Sequence, residues 1–445
     1  MSSHKMTIKF TNQAHALETV VSVLARHKTD DYYAYERGEN WYIGIGSQAS
    51  LVFDSKGETV TVNTESSQAS RPMDGSSVTD IAREFVSDNM KTGCRIFGQA
   101  GFNYAAHVRG QAFTFGNWPL LALLVPRIEI ILHQHTVTLK GIHDEEVKGL
   151  YESIQHDTGG LGLIRPRNIQ PIDTQDTNGD YIARVERALS DIAQGQYTKV
   201  IPSRAVEIKY RINMPATLLD GRRSNNPARS FSLNHAGYQA TGFSPELVMS
   251  VDNGRVTTEP LAGTRSTTGT NEEAEELRHE LLNDPKEIVE HVVSVREAIT
   301  ELRQLCSPDT IKVEDLMSIR TRGSVQHLGS RVAGTLSPEK DVWDAFNVLF
   351  PSITASGIPK HVATEAIQRL EDEPRELYSG AVFMIEDLAS FEAALVLRTA
   401  FQDQGRGWIQ AGAGVISQSN PQRELMETRE KLASIAPFVI PDVSS

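Results

Sequence analysis

The order of apolar and polar positions divides this chain into a strand-rich first part and a second part in which helices separate strands. Residues 41–45 and 51–54 are extended in pattern, and Asp54-Ser55-Lys56-Gly57 supplies a turn before 59–62. Residues 127–132 and 136–140 predict a hairpin. Further along, Tyr181, Val185, Ala188, Leu189 and Ile192 recur at helical spacing, with Gly195 where a C-cap belongs. A β-type segment covers 197–208, marked at Pro202 as an edge or bulge. More strands are expected at 230–233, 246–251, 381–385, 393–398 and 408–411, and helices from 285 to about 305, at 341–350 and at 360–371. Strands mixed with helices, without regular βαβ alternation, predict an α+β fold rather than a doubly wound one. The stretch 156–180, rich in turn residues (Gly159, Gly160, Gly162, Pro166, Pro171), is not polar enough for a free linker. It is expected to join a strand-rich half, 1–175, to a C-terminal half, 176–445, packed together as one unit.

Two helix openings stand out. Asp284-Pro285-Lys286-Glu287-Ile288-Val289-Glu290-His291 and Asn420-Pro421-Gln422-Arg423-Glu424-Leu425-Met426-Glu427 each begin with an N-cap residue and a proline, whose missing N–H is not needed in the first turn. Each then places two glutamates three apart on one face. The apolar stripes Ile288, Val292, Val295, Ile299 and Leu302, and Leu425, Leu432 and Ile435, set both acidic pairs at the border of a core-facing surface. Four carboxylates brought together cannot all stay ionised without a cation, so the pattern suggests a divalent metal site, Mg²⁺ first. The competing reading is local: Asp284 and Glu287 as a capping box, and Glu427 with Lys431 as an i,i+4 ion pair.

Composition narrows the partners. The 445 residues are 39% apolar and 23% charged, as in a globular protein, and the net charge of −13 argues against nucleic acid. An anionic substrate would need local inversion of that field by a metal or by Lys and Arg. Cys94 and Cys306 give no disulfide framework or metal-ligand spacing, the first ten residues lack a signal-peptide core, and the apolar run 118–125 is too short to span a bilayer. A soluble cytoplasmic protein is expected, with no membrane partner.

Several single residues sit in segments too apolar or too glycine-rich for an ordinary surface. Lys199 lies in a β-type run and Glu246 starts an apolar strand. A buried lysine would be a candidate base and a desolvated glutamate a proton donor, although a solvated strand lysine and a strand-end carboxylate are the ordinary readings. Leu261-Ala-Gly-Thr-Arg265 and Gly412-Ala-Gly414 offer backbone amides to a carboxylate, or are simply turns. His327 and Arg398 lie within apolar runs, and an arginine there needs an anionic partner, from the protein or from a substrate.

Taken in order, Pro260-Leu-Ala-Gly-Thr-Arg265, Asp284-Pro-Lys-Glu-Ile-Val-Glu-His291, Val325-Gln-His-Leu-Gly-Ser330, Pro351-Ser-Ile-Thr-Ala-Ser-Gly-Ile-Pro-Lys360, Arg375-Glu-Leu-Tyr-Ser-Gly380 and Ala411-Gly-Ala-Gly414 resemble the motifs of the chorismate-utilising enzymes. The resemblance covers most of 180–437 and is weaker over 1–150. It implies a large α+β unit of two packed antiparallel sheets with helices outside, and chorismate as the small-molecule substrate. It further implies Mg²⁺ bound directly by Glu290 and Glu427, with Glu287 and Glu424 holding its waters. Lys199 stands where water-using members have a lysine base and ammonia-using anthranilate synthases a glutamine; Glu246 would protonate the departing C4 hydroxyl. Arg398 and Tyr378, beside Leu397, would hold the enolpyruvyl carboxylate. Gly263, Thr264 and Gly412 would lie near the ring end, Lys431 would add positive charge, and His327 would orient the ring carboxylate. Ala262 replaces the nucleophilic lysine of aminodeoxychorismate synthases, the Leu-Leu-Glu-Ser motif of tryptophan-inhibited anthranilate synthases is absent, and no amidotransferase subunit is expected; a monomer is. Thr354 and the segments Lys199-Val-Ile-Pro-Ser-Arg204 and Asn226-Pro-Ala-Arg-Ser-Phe231 are similar to the salicylate-forming branch that serves siderophore synthesis. An isochorismate synthase and a non-catalytic chorismate-binding protein remain alternatives.

Overall fold

The computed structural model describes residues 6–12, 15–90, 93–156, 171–176, 179–267 and 269–442. Most of the turn-rich connection expected at 156–180 therefore lies outside the described residues. Two long strands, Asn40–Phe53 and Leu121–His133, pair antiparallel over their whole length, and their register shifts between Ser47 and Ala49. Gly46, at φ 65°, and Pro126, opposite Ser47, mark this irregularity, where strands re-aim.

On one side of the shift, pairing runs outward through Tyr32–Arg37, Arg229–His235, Tyr238–Ser244, Thr399–Gln402, Gly407–Gly412 and Ser203–Ile208. On the other, it runs through Ile96–Ala100, Ala381–Asp387, Ser390–Leu395, Leu247–Asp252, Arg255–Thr258 and Val325–Thr335, which also pairs with Leu261–Ser266 and Lys312–Arg322. The result is a large antiparallel network curled into two layers. Tyr33, Phe231, Phe401 and Trp408 of one layer pack with Phe97, Val382 and Met384 of the other. The outer face of the first layer is covered by Ala16–Arg26, Asp144–Gln155 and Met214–Ser224, and that of the second by Val78–Asn89, Pro285–Leu302 and Val342–Leu349. The α+β expectation holds, with its two packed sheets and external helices. N-terminal strands are interleaved with C-terminal ones in both layers (Tyr35 opposite Phe231, Gly98 opposite Phe383).

The helix Pro285–Leu302 departs from its expected stripe. Val292 is 47% exposed and Ile288 and Ile299 are only half-buried, whereas Glu287, Glu290, His291 and Ser294 are buried. The physical reason is that the first half of this helix lines a polar site, and only from Val295 onward, with Ala298 and Leu302, does it meet apolar core. On the helix Pro421–Leu432 the expected Leu425 and Leu432 are buried, as is Ile435 beyond its end. The strand expected to include Arg398 stops at Leu395, and Arg398 itself has φ 51°, the left-handed region that non-glycine residues rarely occupy.

Candidate active site

Five pieces of chain converge on one cleft enclosing about 670 Å³, including its open mouth. The strand Leu261–Ser266 and the turn after Gly407–Gly412 form two walls, with the two glutamate-bearing helices behind them and the residues after Ser390–Leu395 at the far end. Glu246, Gly263, Thr264, Glu290, His327, Thr354, Tyr378, Leu397, Arg398, Gly412, Glu427 and Lys431 all line it. Lys199, Glu287 and Glu424 do not reach the lining.

Lys199 is 1% exposed, on the short strand Lys199–Val200 that pairs with Gly357–Ile358. The approach is so close that a Cβ on Gly357, at φ 141°, would stand 2.2 Å from the Lys199 carbonyl oxygen. Lys199 Nζ meets Glu290 Oε1 at 3.0 Å and donates to Ser294 Oγ at 3.0 Å. Ser294 in turn donates to the Glu290 carbonyl, so one helical turn holds both partners of the lysine.

Both caps form as expected. Asp284 accepts from the Lys286 and Glu287 amides, and Asn420 from those of Gln422 and Arg423. The reciprocal half of the capping box does not form at Asp284, whose own amide bonds the Glu280 carbonyl. The Glu287 carboxylate goes instead to Arg265, 3.1 Å away. The expected Glu427–Lys431 pair is present at 2.8 Å, and Lys431 also donates to the Gly412 carbonyl. Burial opposes ionisation of Glu427, but Lys431 and Lys286 outweigh it and hold its carboxyl down at about 2. Glu290 is likewise lowered against the effect of burial, by Lys199 and Lys286. Glu424 moves the other way: burial and the neighbouring Glu427 push it up to about 7.

Among the described residues, no three acidic or imidazole groups stand ready around one ion position. The space between them holds an ammonium, that of Lys286, at 3.5, 3.4 and 3.3 Å from Glu287, Glu290 and Glu424. The site nonetheless suits a hard cation in other respects. Glu287 Oε2 is buried without a hydrogen-bond partner. Glycines clear room for the carboxylates: a Cβ on Gly414 would stand 2.2 Å from Glu290 Oε1, and one on Gly263 2.8 Å from Glu287 Oε2.

At the opposite end, Arg398 is 6% exposed, and among the described residues no carboxylate pairs with it. Its Nη1 donates to the Arg322 carbonyl at 3.0 Å and its Nη2 to His327 Nε2. A guanidinium has no acceptor, so His327 carries its proton on Nδ1 and donates it to the Gly263 carbonyl, 2.9 Å away. Burial and Arg398 hold His327 well below the usual imidazole range, so it is neutral and serves as a rest for Arg398. Burial and the nearby Arg322 depress Arg398 itself to about 9.

Between the two ends sits Glu246, whose Oε1 accepts from Ser352 Oγ at 2.8 Å while Oε2 has no partner. Burial pushes its carboxyl up to about 8, so it is protonated at neutral pH. Thr354 Oγ1 donates to the Leu261 carbonyl at 3.1 Å and helps fix the loop against Glu246.

Sequence reasoning missed Lys286, Ser294, Ser352 and Gln410. Lys286 and Ser352 lie inside segments singled out for their neighbours. Gln410 lines the cleft from a strand whose inward face is set only by the layer it joins.

The family model for chorismate binding enzymes matches residues 30–437. The chain is 37% identical to a salicylate synthase of Mycolicibacterium paratuberculosis over 94% of its length and 92% of that protein's. It is 28% identical to an anthranilate synthase component 1 of Acetivibrio thermocellus, again over 94% and 92%. The solved menaquinone-specific isochorismate synthase of Escherichia coli shares the fold, with a TM-score of 0.73, 21% identity, and coverage of 98% of this chain and 95% of that one. With its cleft built from the segments that carry the resemblance, this chain belongs to the chorismate-binding enzymes.

Proposed function

We propose that the protein converts chorismate to salicylate and pyruvate through isochorismate, with Mg²⁺ held at the glutamate end of the cleft. The observation that carries the water-using branch is Lys199, buried against Glu290 and Ser294 at the position where the resemblance has a lysine base. The match to a salicylate synthase along nearly the whole chain supports the same reading.

Glu290 and Glu427, which line the cleft, are the direct candidates for the metal, and Glu287 and Glu424 stand behind them. When bound, Mg²⁺ supplies positive charge for the ring carboxylate of the substrate. Arg398, unpaired with any carboxylate among the described residues, takes the enolpyruvyl carboxylate, with Tyr378 and Leu397 beside it. Fixing both ends of a rigid dianion aligns the ring between Glu246, on the cleft wall, and Lys199, buried behind Glu290. Lys199 accepts a proton from water as its oxygen bonds to C2. The ring double bonds shift, and Glu246 gives its proton to the C4 hydroxyl, which leaves as water. Isochorismate stays in the cleft, where its C2 hydrogen passes to the enolpyruvyl methylene and the C3–O bond breaks, leaving salicylate and pyruvate. Thr354, bonded beside Glu246, shapes the wall on which this second step depends.

Chromatography after incubation with chorismate and MgCl₂ tests the reading. Equal amounts of salicylate and pyruvate are expected, and neither in EDTA. Isochorismate without pyruvate would replace the proposal with an isochorismate synthase, and binding without turnover with a chorismate-binding protein.

A further inference from the structure

Each of the four glutamates has a cationic neighbour, but not on equal terms. Arg265 stands 3.1 Å from Glu287, Lys199 3.0 Å from Glu290 and Lys431 2.8 Å from Glu427. Glu424, fully buried, has Lys286 as its only ion-pair partner among the described residues, and Lys286 divides itself among Glu287, Glu290 and Glu424 at 3.3–3.5 Å. Those distances exceed the 2.7–2.9 Å of a short charge-assisted bond. No single contact anchors the ammonium; the summed field of the carboxylates does. Counting these groups at full charge, four carboxylates face four cations. A divalent ion entering this balance must displace positive charge. Lys199 and Lys431 are each tied additionally to Ser294 or the Gly412 carbonyl, and Arg265 to Asp284, Glu280 and the Thr264 carbonyl. Among the described residues, Lys286 has no such second tether. Its side chain is 16% exposed, so its four-carbon stem can carry the charge out to water.

We propose that Lys286 is the internal counterion of the metal site, occupying the space among Glu287, Glu290 and Glu424 and leaving it when a divalent cation binds. This rests on the reading that the glutamates bind Mg²⁺. In the metal-free protein the ammonium keeps four buried carboxylates compatible with the fold; on metal binding it is a competitor. Its removal therefore acts in opposite directions on the two states.

The test is calorimetric titration of the purified, EDTA-treated protein with MgCl₂ alone, together with melting temperatures with and without Mg²⁺. Lys286→Met removes the competitor, so its Mg²⁺ dissociation constant should fall by about tenfold, the scale of one charge-assisted contact. Metal-free Lys286→Met should melt below wild type, and saturating Mg²⁺ should erase that deficit. Lys286→Arg keeps the charge in a fork that grips carboxylates more firmly, so it should fold and bind Mg²⁺ more weakly than wild type. If Lys286→Met fails to fold without metal, the comparison of Lys286→Arg with wild type still decides. An affinity order other than Met above Lys above Arg, or a melting deficit that persists in Mg²⁺, overturns the proposal while leaving the metal assignment intact. Wild type that gives neither heat nor a melting shift with Mg²⁺ overturns both.

Discussion

Arg398 gives a prediction in which stability and function move in opposite directions. Its fall from the ordinary 12.5 to about 9 corresponds to roughly 5 kcal/mol of unfavourable interaction for the buried guanidinium. The sign follows from linkage: the folded value lies below the unfolded one, so the cost is fully present below about pH 9 and shrinks as pH rises toward 12.5. In Arg398→Met this cost disappears, and about 2 kcal/mol is returned because the Arg322 carbonyl and His327 Nε2 lose a donor. The net gain of about 3 kcal/mol, spread over the unfolding entropy of a 445-residue chain, raises the melting temperature by about 3 °C. The same change removes the group that meets a substrate carboxylate, which costs roughly 2–5 kcal/mol in binding. KM for chorismate, followed through pyruvate release in a lactate dehydrogenase-coupled assay, should therefore rise about thirtyfold or more. A variant that melts several degrees lower with an unchanged KM would show that Arg398 is a structural residue with a protein partner, and the argument for a carboxylate site would fall.

Glu246 is active only as the acid, and burial keeps it protonated up to about pH 8, so kcat/KM should decline on the alkaline side with a midpoint near that value. Glu246→Gln should lose roughly 10²–10⁴ in kcat, and a wild-type profile flat to pH 10 would remove Glu246 from the acid role. Lys199→Ala should abolish formation of both isochorismate and salicylate while chorismate binding survives in equilibrium dialysis; turnover at the wild-type rate would dismiss the lysine as base. Glu290→Gln should weaken Mg²⁺ binding and turnover together, whereas Ser294→Ala, which loses the bonds to Lys199 and to the Glu290 main-chain carbonyl but leaves the Glu290 carboxylate in place, should lower kcat by roughly tenfold with Mg²⁺ affinity unchanged. An equal loss of Mg²⁺ affinity in both variants would contradict the separation of these roles.

What the chain's own pattern revealed depended on whether the governing interaction was local. The Asp284-Pro285 and Asn420-Pro421 starts are set by first-turn chemistry, and the structure caps both helices there. The hairpin over residues 127–140 and the break at Pro202 are local too, and both appear. The bend near Ser47 was hidden because it depends on a partner strand about 80 positions away carrying Pro126. Val292 was misplaced for a related reason. Periodicity identifies an apolar face by assuming that the buried side is apolar, and this helix buries Glu287, Glu290, His291 and Ser294 instead. Where a functional cleft replaces core, the hydrophobic stripe is an unreliable guide to which side faces in. Arg398 illustrates the converse: its apolar neighbours correctly signalled burial, but only the structure shows that no carboxylate among the described residues pairs with it there.

Glu290 ties these observations to the reaction. One carboxylate is at once the ion-pair partner of the candidate base and, by the reading above, a metal ligand. Glu290 holds Lys199 at 3.0 Å, so the candidate base and the candidate metal ligand share one contact. Any cation that draws on Glu290 loosens that contact, because the carboxylate's charge is then shared. Positive charge added at the glutamate end consequently does two things with one contact: it prepares the place of the ring carboxylate and it relaxes the hold on the base. On the proposed reading, the base is loosened from Glu290 only as the charge that positions the substrate arrives, and the departing C4 hydroxyl takes its proton from Glu246 across the cleft, where burial raises the carboxyl's hold on it.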